Sequence, residues 1–198
     1  MRINTIDINN LIKLFCFVIF LFGIYLCFIG GYGSDEDTLP MIYVFERRLD
    51  DGAFVTSRFT GNPVAEIGIG FLAYFFGSFF ANLTTFVFFV FGCIFIYLAL
   101  SKNKNDIFLF LLLCLSSQIL FFDNLEPIDY SWALFPFSIG LFLFSKKQLE
   151  WSILFFAISV GARINFLIFV IPAIFFFEID NKISIFKRIS LILITFFV

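Results

Sequence analysis

Several apolar runs, each close to the length that crosses a lipid bilayer as a helix, limit the possible folds of this chain most strongly. The first run, Leu11 to Gly30, contains one charged residue, Lys13, and about 20 apolar residues span a hydrocarbon layer of ~30 Å. Of the 198 residues 61% are hydrophobic and 14% are charged, with a mean hydropathy of +1.03. Soluble domains carry about 25% charged residues. We therefore predict an all-α, polytopic transmembrane protein.

The residue types that are missing exclude several kinds of chemistry. The sequence has no histidine, which excludes His-based zinc sites and Ser-His-Asp or Cys-His catalytic systems. The four cysteines lie inside apolar runs without a Cys-x-x-Cys pair, so we interpret them as packing residues. A net charge of −2 does not indicate nucleic-acid binding. Any chemistry should depend on Asp, Glu, Arg, Lys, Tyr or hydroxyl groups.

Basic residues predict how the chain crosses the membrane. Arg2 and Lys13 place the N-terminus in the cytoplasm, and the first run exceeds the ~7–15 apolar residues of a signal peptide. Because lysine loops favour the cytoplasm, residues 64–80, which include three glycines and Glu66, are expected to lie in the outer interface without crossing. The expected spans are 11–30, 83–100, 107–122 and 132–144, with an outer loop over residues 31–82.

The apolar segment 151–177 is interrupted by the polar stretch 161–165, GARIN. A single span would export the three basic residues of the stretch 178–188, so we predict a broken helical hairpin that bends near Gly161 and returns to the cytoplasm. Arg163 needs an anionic partner, whether it lies at the outer apex or near mid-membrane. Residues 189–198 are expected to begin a further span, so we interpret the sequence as the N-terminal fragment of a longer protein.

The outer loop holds the densest charge in the sequence. Residues 34–37, SDED, follow the first span directly. The stretch 37–52, DTLPMIYVFERRLDDG, predicts an amphipathic helix with Pro40 in its first turn and Gly52 at its end. Its apolar positions at helical spacing are Met41, Val44, Phe45 and Leu49. This helix would lie over the membrane domain and hold the acidic residues above a cavity.

Carboxylates and arginines at this place suit a reaction of a lipid-linked phosphate. A carboxylate can accept a proton from an attacking hydroxyl or amine, and arginines can hold the phosphate by fork geometry and permanent charge. Asp129 and Arg163 approach from other outer elements and could complete such a pocket. A solvated loop is the simpler interpretation of any single charge in the outer loop, and Asp129 could instead cap a helix beside Pro127.

The order of these elements resembles the N-terminal part of GT-C-fold glycosyltransferases, such as the protein O-mannosyltransferase and aminoarabinose-transferase relatives. The resemblance is carried, after the first span, by SDED, ERRLDDGAFV and SRFTGNPVAEI, and later by EPIDYSWALF and GARINFLIFVIPAIFF. It implies a GT-C-like membrane domain with juxtamembrane helices in its first outer loop. It also implies transfer of a sugar from a polyprenyl-phosphate donor to a glycan, lipid or protein acceptor at the outer face of a bacterial inner membrane.

The resemblance also implies roles for individual residues. Asp35 matches the catalytic base, with Glu36 beside it, and Arg163 matches a position that meets the donor phosphate. The other expected substrate-binding residues are Asp37, Arg47, Arg58 and Asp129. No cofactor is expected, although three acidic residues in SDED could hold a divalent cation.

Two other functions fit parts of the same pattern. A transporter or lipid flippase would also use broken helices and intramembrane arginine, but its charges should lie within the spans rather than in a long outer loop. A non-catalytic membrane scaffold predicts that Asp35→Asn and Glu36→Gln have no effect.

Overall fold

A computed structural model describes residues 8–33, 38–52, 56–57, 62–101 and 106–176, which form helices and turns without a strand. The helices are α1 (Ile8–Ile29), α2 (Thr38–Asp51), α3 (Pro63–Leu100), α4 (Ile107–Ser116), α5 (Gln118–Asp123), α6 (Asp129–Ser145), α7 (Leu149–Ala162), a 3₁₀ helix (Ile164–Phe166) and α8 (Leu167–Phe176). Over the described residues the expected all-helical fold is confirmed. α1 and α3 are long and apolar enough to cross a membrane. Most large apolar side chains of α1 are exposed, which favours membrane association over the core of a soluble protein.

α3 bends sharply at Gly77, which has φ 80° and ψ −180°, a backbone conformation that only glycine adopts readily. The indole of Trp132 contacts Gly68 and also donates a hydrogen bond of 3.1 Å to Thr85 Oγ1. Gly68 and Thr85 are 17 positions apart, which corresponds to about 26 Å along a straight helix. One indole cannot bridge that distance, so residues 63–76 fold back against residues 78–100.

The bend lies beside the C-terminal end of α1. The hydroxyl of Tyr32 donates to the carbonyl oxygen of Ala73 at 3.3 Å. Asn82 Nδ2 donates to the carbonyl oxygens of Cys27 at 3.3 Å and Gly31 at 2.6 Å. These bonds satisfy carbonyl groups that the end of a helix leaves free. The bond from Tyr32 to Ala73 also fixes residues 63–76 beside the end of α1.

Contacts along the helices give their relative directions. The second half of α3 runs antiparallel to α1, and α4–α5 runs parallel to α1. α6 runs parallel to the second half of α3, and α7 runs antiparallel to α6. The contacts that show this are Cys27 with Asn82, Gly23 with Phe86, Cys16 with Phe108, Phe22 with Phe121, Thr85 with Trp132, Phe95 with Phe142, Gly140 with Ser152, and Ala133 with Ser159.

α6 and α7 pack closely through small residues. Ser152 Oγ and Ser159 Oγ each donate a 2.8 Å hydrogen bond across the interface, to the carbonyl oxygens of Gly140 and Ala133. A Cβ atom on Gly140 would lie 2.7 Å from the ring of Phe156. Small residues and serine bridges of this kind are typical of helix contacts inside membranes.

The helical path breaks at Arg163, within the polar stretch where the sequence predicts an interruption. Arg163 is extended, with φ −159° and ψ 112°, between α7 and the 3₁₀ helix. The ring of Phe137 lies 5.7 Å from the ring of Phe156 in α7 and 6.2 Å from that of Phe169 in α8. α8 therefore turns back toward α6 and α7. That this pair of helices enters the membrane as a hairpin stays a prediction.

α2 covers the first half of α3. Met41, Val44 and Phe45 are buried, as their helical spacing predicts, and the Phe45 side chain fills the space beside Gly70. Leu49, the fourth apolar position at this spacing, is 50% exposed.

Two predicted spans have different boundaries in the structure. The segment 107–122 is interrupted at Ser117, which has extended backbone angles and separates α4 from α5. The segment 132–144 belongs to a helix that already begins at Asp129. The segment 189–198 lies outside the described residues.

Candidate functional site

The ends of several helices bring a buried ion pair together at one end of the bundle. Asp129, in the first turn of α6, is fully buried, and its Oδ1 accepts a hydrogen bond from Nη1 of Arg163. The Arg163 side chain is 14% exposed. A buried charge is tolerated only when it is paired and hydrogen-bonded, so each residue requires the other. Asp129 lies in the first turn of α6 rather than at the N-cap position, which Ile128 occupies without a side-chain cap.

Tyr130 fixes the orientation of the Arg163 guanidinium. The guanidinium carbon lies 3.7 Å from the centroid of the Tyr130 ring, close enough for a cation–π interaction. The Tyr130 side chain is itself 48% exposed. The guanidinium is thus held on one face by the ring and at one edge by Asp129.

A second ion pair lies at the start of α3. Glu66 is fully buried, and its Oε2 accepts a 2.8 Å hydrogen bond from Nη2 of Arg48 in α2. Its Oε1 accepts bonds from Ser57 Oγ at 2.5 Å, Ser57 N at 2.9 Å and Asn62 N at 3.3 Å. Several donors to one carboxylate favour its charged form. Glu66 thereby ties α2 and the chain before α3 to the helix bundle.

Asn62 joins the two ion pairs into one network. Its backbone N–H binds Glu66, and its side-chain Nδ2 donates to Asp129 Oδ2 at 2.6 Å. We call this set the charge network; its members are Arg48, Ser57, Asn62, Glu66, Asp129 and Arg163. Two arginines balance two carboxylates, so the network has no net charge.

Arg163 is the member of the charge network best suited to bind an anion. A guanidinium has five N–H groups, and among the described residues Asp129 is the one hydrogen-bond acceptor recorded for it. Since its carboxylate partner already neutralises it, Arg163 would bind an anion through directed hydrogen bonds rather than through excess positive charge. Planar fork geometry makes arginine suited to phosphate in this way.

The other residues expected from the sequence fall into two groups. Arg47 lies on the exposed side of α2, where Nε is 3.2 Å from Asp51 Oδ2 and the guanidinium lies 5.7 Å from the ring centroid of Tyr43. It therefore does not join the charge network. Outside the described residues lie Asp35, Glu36, Asp37 and Arg58.

The described residues on both sides of the stretch 34–37 contact one loop. A Cβ on Gly33 would lie 2.2 Å from the carboxyl carbon of Glu126. Thr38 is fully buried, and its hydroxyl lies 3.5 Å from the carbonyl oxygen of Pro127. This loop leads directly into Asp129, so the acidic stretch joins the described structure next to the charge network.

Sequence reasoning missed the roles of Arg48, Ser57, Asn62 and Glu66. A signal for Arg48 was present, because it continues the spacing of Met41, Val44 and Phe45 along the buried face of α2. Neighbouring Arg47 does not share that face. Glu66 was also marked, as the single charge of an otherwise apolar segment, although its partners could not be inferred from spacing.

Within the described ranges, no group of three or more acidic, cysteine or histidine side chains is arranged to hold a metal ion. The divalent-cation hypothesis concerns residues 35–37, which lie outside those ranges. Comparison with protein-family models, curated proteins and solved structures gives no match to this chain.

Proposed function

We propose that the protein is a multi-pass membrane glycosyltransferase of the GT-C type. It would transfer a sugar from a polyprenyl-phosphate donor to a glycan, lipid or protein acceptor, at the outer face of a bacterial inner membrane. The observation that carries the proposal is the guanidinium of Arg163, which Asp129 and Tyr130 hold in place on a side chain that is 14% exposed, at the end of the bundle where the described chain enters and leaves the acidic stretch 34–37.

The directions of the helices support this placement. The second half of α3 runs antiparallel to α1. This is the direction expected if α1 crosses the membrane outward and the second half of α3 is the next helix to cross, inward. A crossing by residues 64–80 as well would make these two helices parallel. With the N-terminus in the cytoplasm, the charge network then belongs to the outer side of the membrane.

The proposed reaction assigns a role to each part of the site. Asp35 or Glu36 takes the proton from the acceptor hydroxyl or amine while that atom forms its bond to the anomeric carbon. The bond between the anomeric carbon and the phosphate oxygen breaks, and the lipid phosphate leaves with the electron pair. Arg163 stabilises the charge on the departing phosphate through preorganised hydrogen bonds.

The remaining candidates take supporting roles in this proposal. Arg58 and Arg47 would contact the donor phosphate, and Arg47 must first leave its ion pair with Asp51. Asp37 would contact the acceptor. Asp129 positions Arg163 and does not itself take part in the proton transfer, because both its oxygens already accept hydrogen bonds.

Sugar transfer in lipid vesicles tests the proposal. The protein is reconstituted with radiolabelled polyprenyl-phosphate-linked hexoses and pentoses, and release or transfer of the sugar is measured. Asp35→Asn or Glu36→Gln should lower the rate by roughly 100-fold or more, the usual contribution of a general base. Asp50→Asn, an exposed acid of α2, is the matched control and should leave the rate unchanged. If the wild type transfers sugar and Asp35→Asn, Glu36→Gln and the double variant all do so at the rate of the Asp50→Asn control, neither residue is the base.

A further inference from the structure

Aromatic side chains form a continuous surface band across the bend of α3. Phe28, at the end of α1, meets Phe79 edge-on at 5.7 Å. From there ring contacts of 4.9 to 6.0 Å continue along the first half of α3. The aromatic band consists of Phe28, Phe71, Tyr74, Phe75, Phe76, Phe79 and Phe80. Sequence spacing alone does not show this continuity, because the bend at Gly77 brings the two halves of α3 into one surface.

The band is exposed and carries no charge. Its exposed fractions range from 45% for Phe71 to 70% for Phe28, except at the half-buried Phe79. Residues 63–76 contain one charged residue, Glu66, and it is fully buried on the opposite side, in the charge network. A helix whose exposed face is apolar except for one tyrosine hydroxyl, and whose single charge is buried, favours contact with lipid over contact with water.

We propose that the first half of α3 is immersed in the outer leaflet of the bilayer, with the aromatic band against phospholipid. Two observations favour lipid over a protein partner. The band is continuous with the exposed apolar surface of α1, the membrane-associated helix. Its phenylalanines are residues typical of the apolar face of helices that lie in the membrane interface. Helices that lie in this plane bury their apolar face about 5–10 Å below the head groups.

This placement sets the depth of the charge network. An α-helix with its side chains is about 10–12 Å across, and at about 3.6 residues per turn Phe71 and Phe75 of the band lie on the face opposite Glu66. If the band reaches the acyl chains, the charge network lies at the level of the head groups rather than in the water above them. The inference uses packing and charge alone and does not depend on the proposed enzymatic activity.

Nitroxide scanning of the protein in phosphatidylcholine vesicles tests the proposal. Phe75→Cys and Phe71→Cys carry the label in the band. Leu21→Cys on the exposed face of α1 is the lipid reference, and Asp50→Cys on α2 is the water reference. The unsubstituted protein measures labelling of its native cysteines, of which Cys114 is the one not buried. Two positions in the band are labelled so that the same result at both cannot come from misfolding of one variant. Circular dichroism checks that each variant retains its helices.

The collision rates of the label decide the outcome. Labels at positions 75 and 71 should collide more often with oxygen, which dissolves in lipid, than with a water-soluble nickel chelate, as at position 21. The order should be reversed at position 50. Collision with the nickel chelate at positions 75 and 71 as frequent as at position 50 would overturn the proposal. So would exclusion of both reagents together with spin–spin broadening, since that result would place a second copy of the chain on the band.

Discussion

Replacing Asp129 by asparagine should lower the free energy of unfolding by about 3 kcal/mol, the lower end of the cost of breaking a buried ion pair. Asparagine keeps the size of the side chain and one acceptor oxygen, so the packing of α6 is unchanged. What is lost is the negative charge that faces Arg163. The lower end applies because the Arg163 side chain retains 14% exposure and can be partly hydrated.

A double-mutant cycle isolates the pair. Arg163→Met keeps the apolar stem but removes the charge, and it leaves Asp129 fully buried without its cation. This variant should also lose about 3 kcal/mol. In the double variant neither charge remains, so its loss should be smaller than the sum of the single losses by about 1–3 kcal/mol.

Detergent-induced unfolding in mixed micelles, followed by circular dichroism, measures these differences. Asp50→Asn, an exposed acid outside the charge network, should change stability by no more than about 0.5 kcal/mol. Strict additivity of the two single variants would refute the coupling, because it would mean that the two groups do not stabilise each other in the folded protein.

Three further predictions follow from single contacts. Arg48→Met should cost about 3 kcal/mol because it leaves Glu66 buried without its cation, whereas Arg47→Met removes an exposed pair and should cost less than about 1 kcal/mol; equal losses in detergent unfolding would contradict the assignment. Gly77→Ala forces a side chain into φ 80° and should cost about 1–3 kcal/mol, so an unchanged thermal midpoint would show that the bend is absent. Asn82→Ala removes both hydrogen bonds to the end of α1 and should cost about 1–3 kcal/mol; hydrogen exchange at the last turn of α1 should accelerate, and unchanged exchange there would count against this role.

The sequence was sufficient to predict those structural features that depend on a single helix or a single residue. Helical spacing and a terminal glycine predicted α2, and Gly52 does have the positive φ of 62° that ends a helix. The cost of burying a charge predicted that Arg163 needs an anion, and Asp129 is the partner that the fold provides.

Other features depend on how elements pack, so spacing could not predict them. Gly68, Gly70 and Gly77 look alike in the sequence, yet Gly77 alone bends the helix. The other two admit the side chains of Trp132 and Phe45 at close range. The pairing of Arg48 with Glu66 likewise depends on the docking of α2 against α3.

Binding of polyprenyl monophosphate, the lipid that the proposed reaction releases, tests the central claim most directly. Affinity is measured in phosphatidylcholine vesicles for the wild type, Arg163→Met and Arg163→Lys, and for Lys146→Met as a control at the opposite end of α6. Charge-assisted hydrogen bonds contribute about 1.5–3 kcal/mol, so Arg163→Met should weaken binding roughly 10- to 100-fold. Arg163→Lys, which keeps the charge without the fork, should have an intermediate affinity, and Lys146→Met should match the wild type. Equal affinity of the wild type and a folded Arg163→Met variant would contradict the assignment of this arginine to a lipid phosphate.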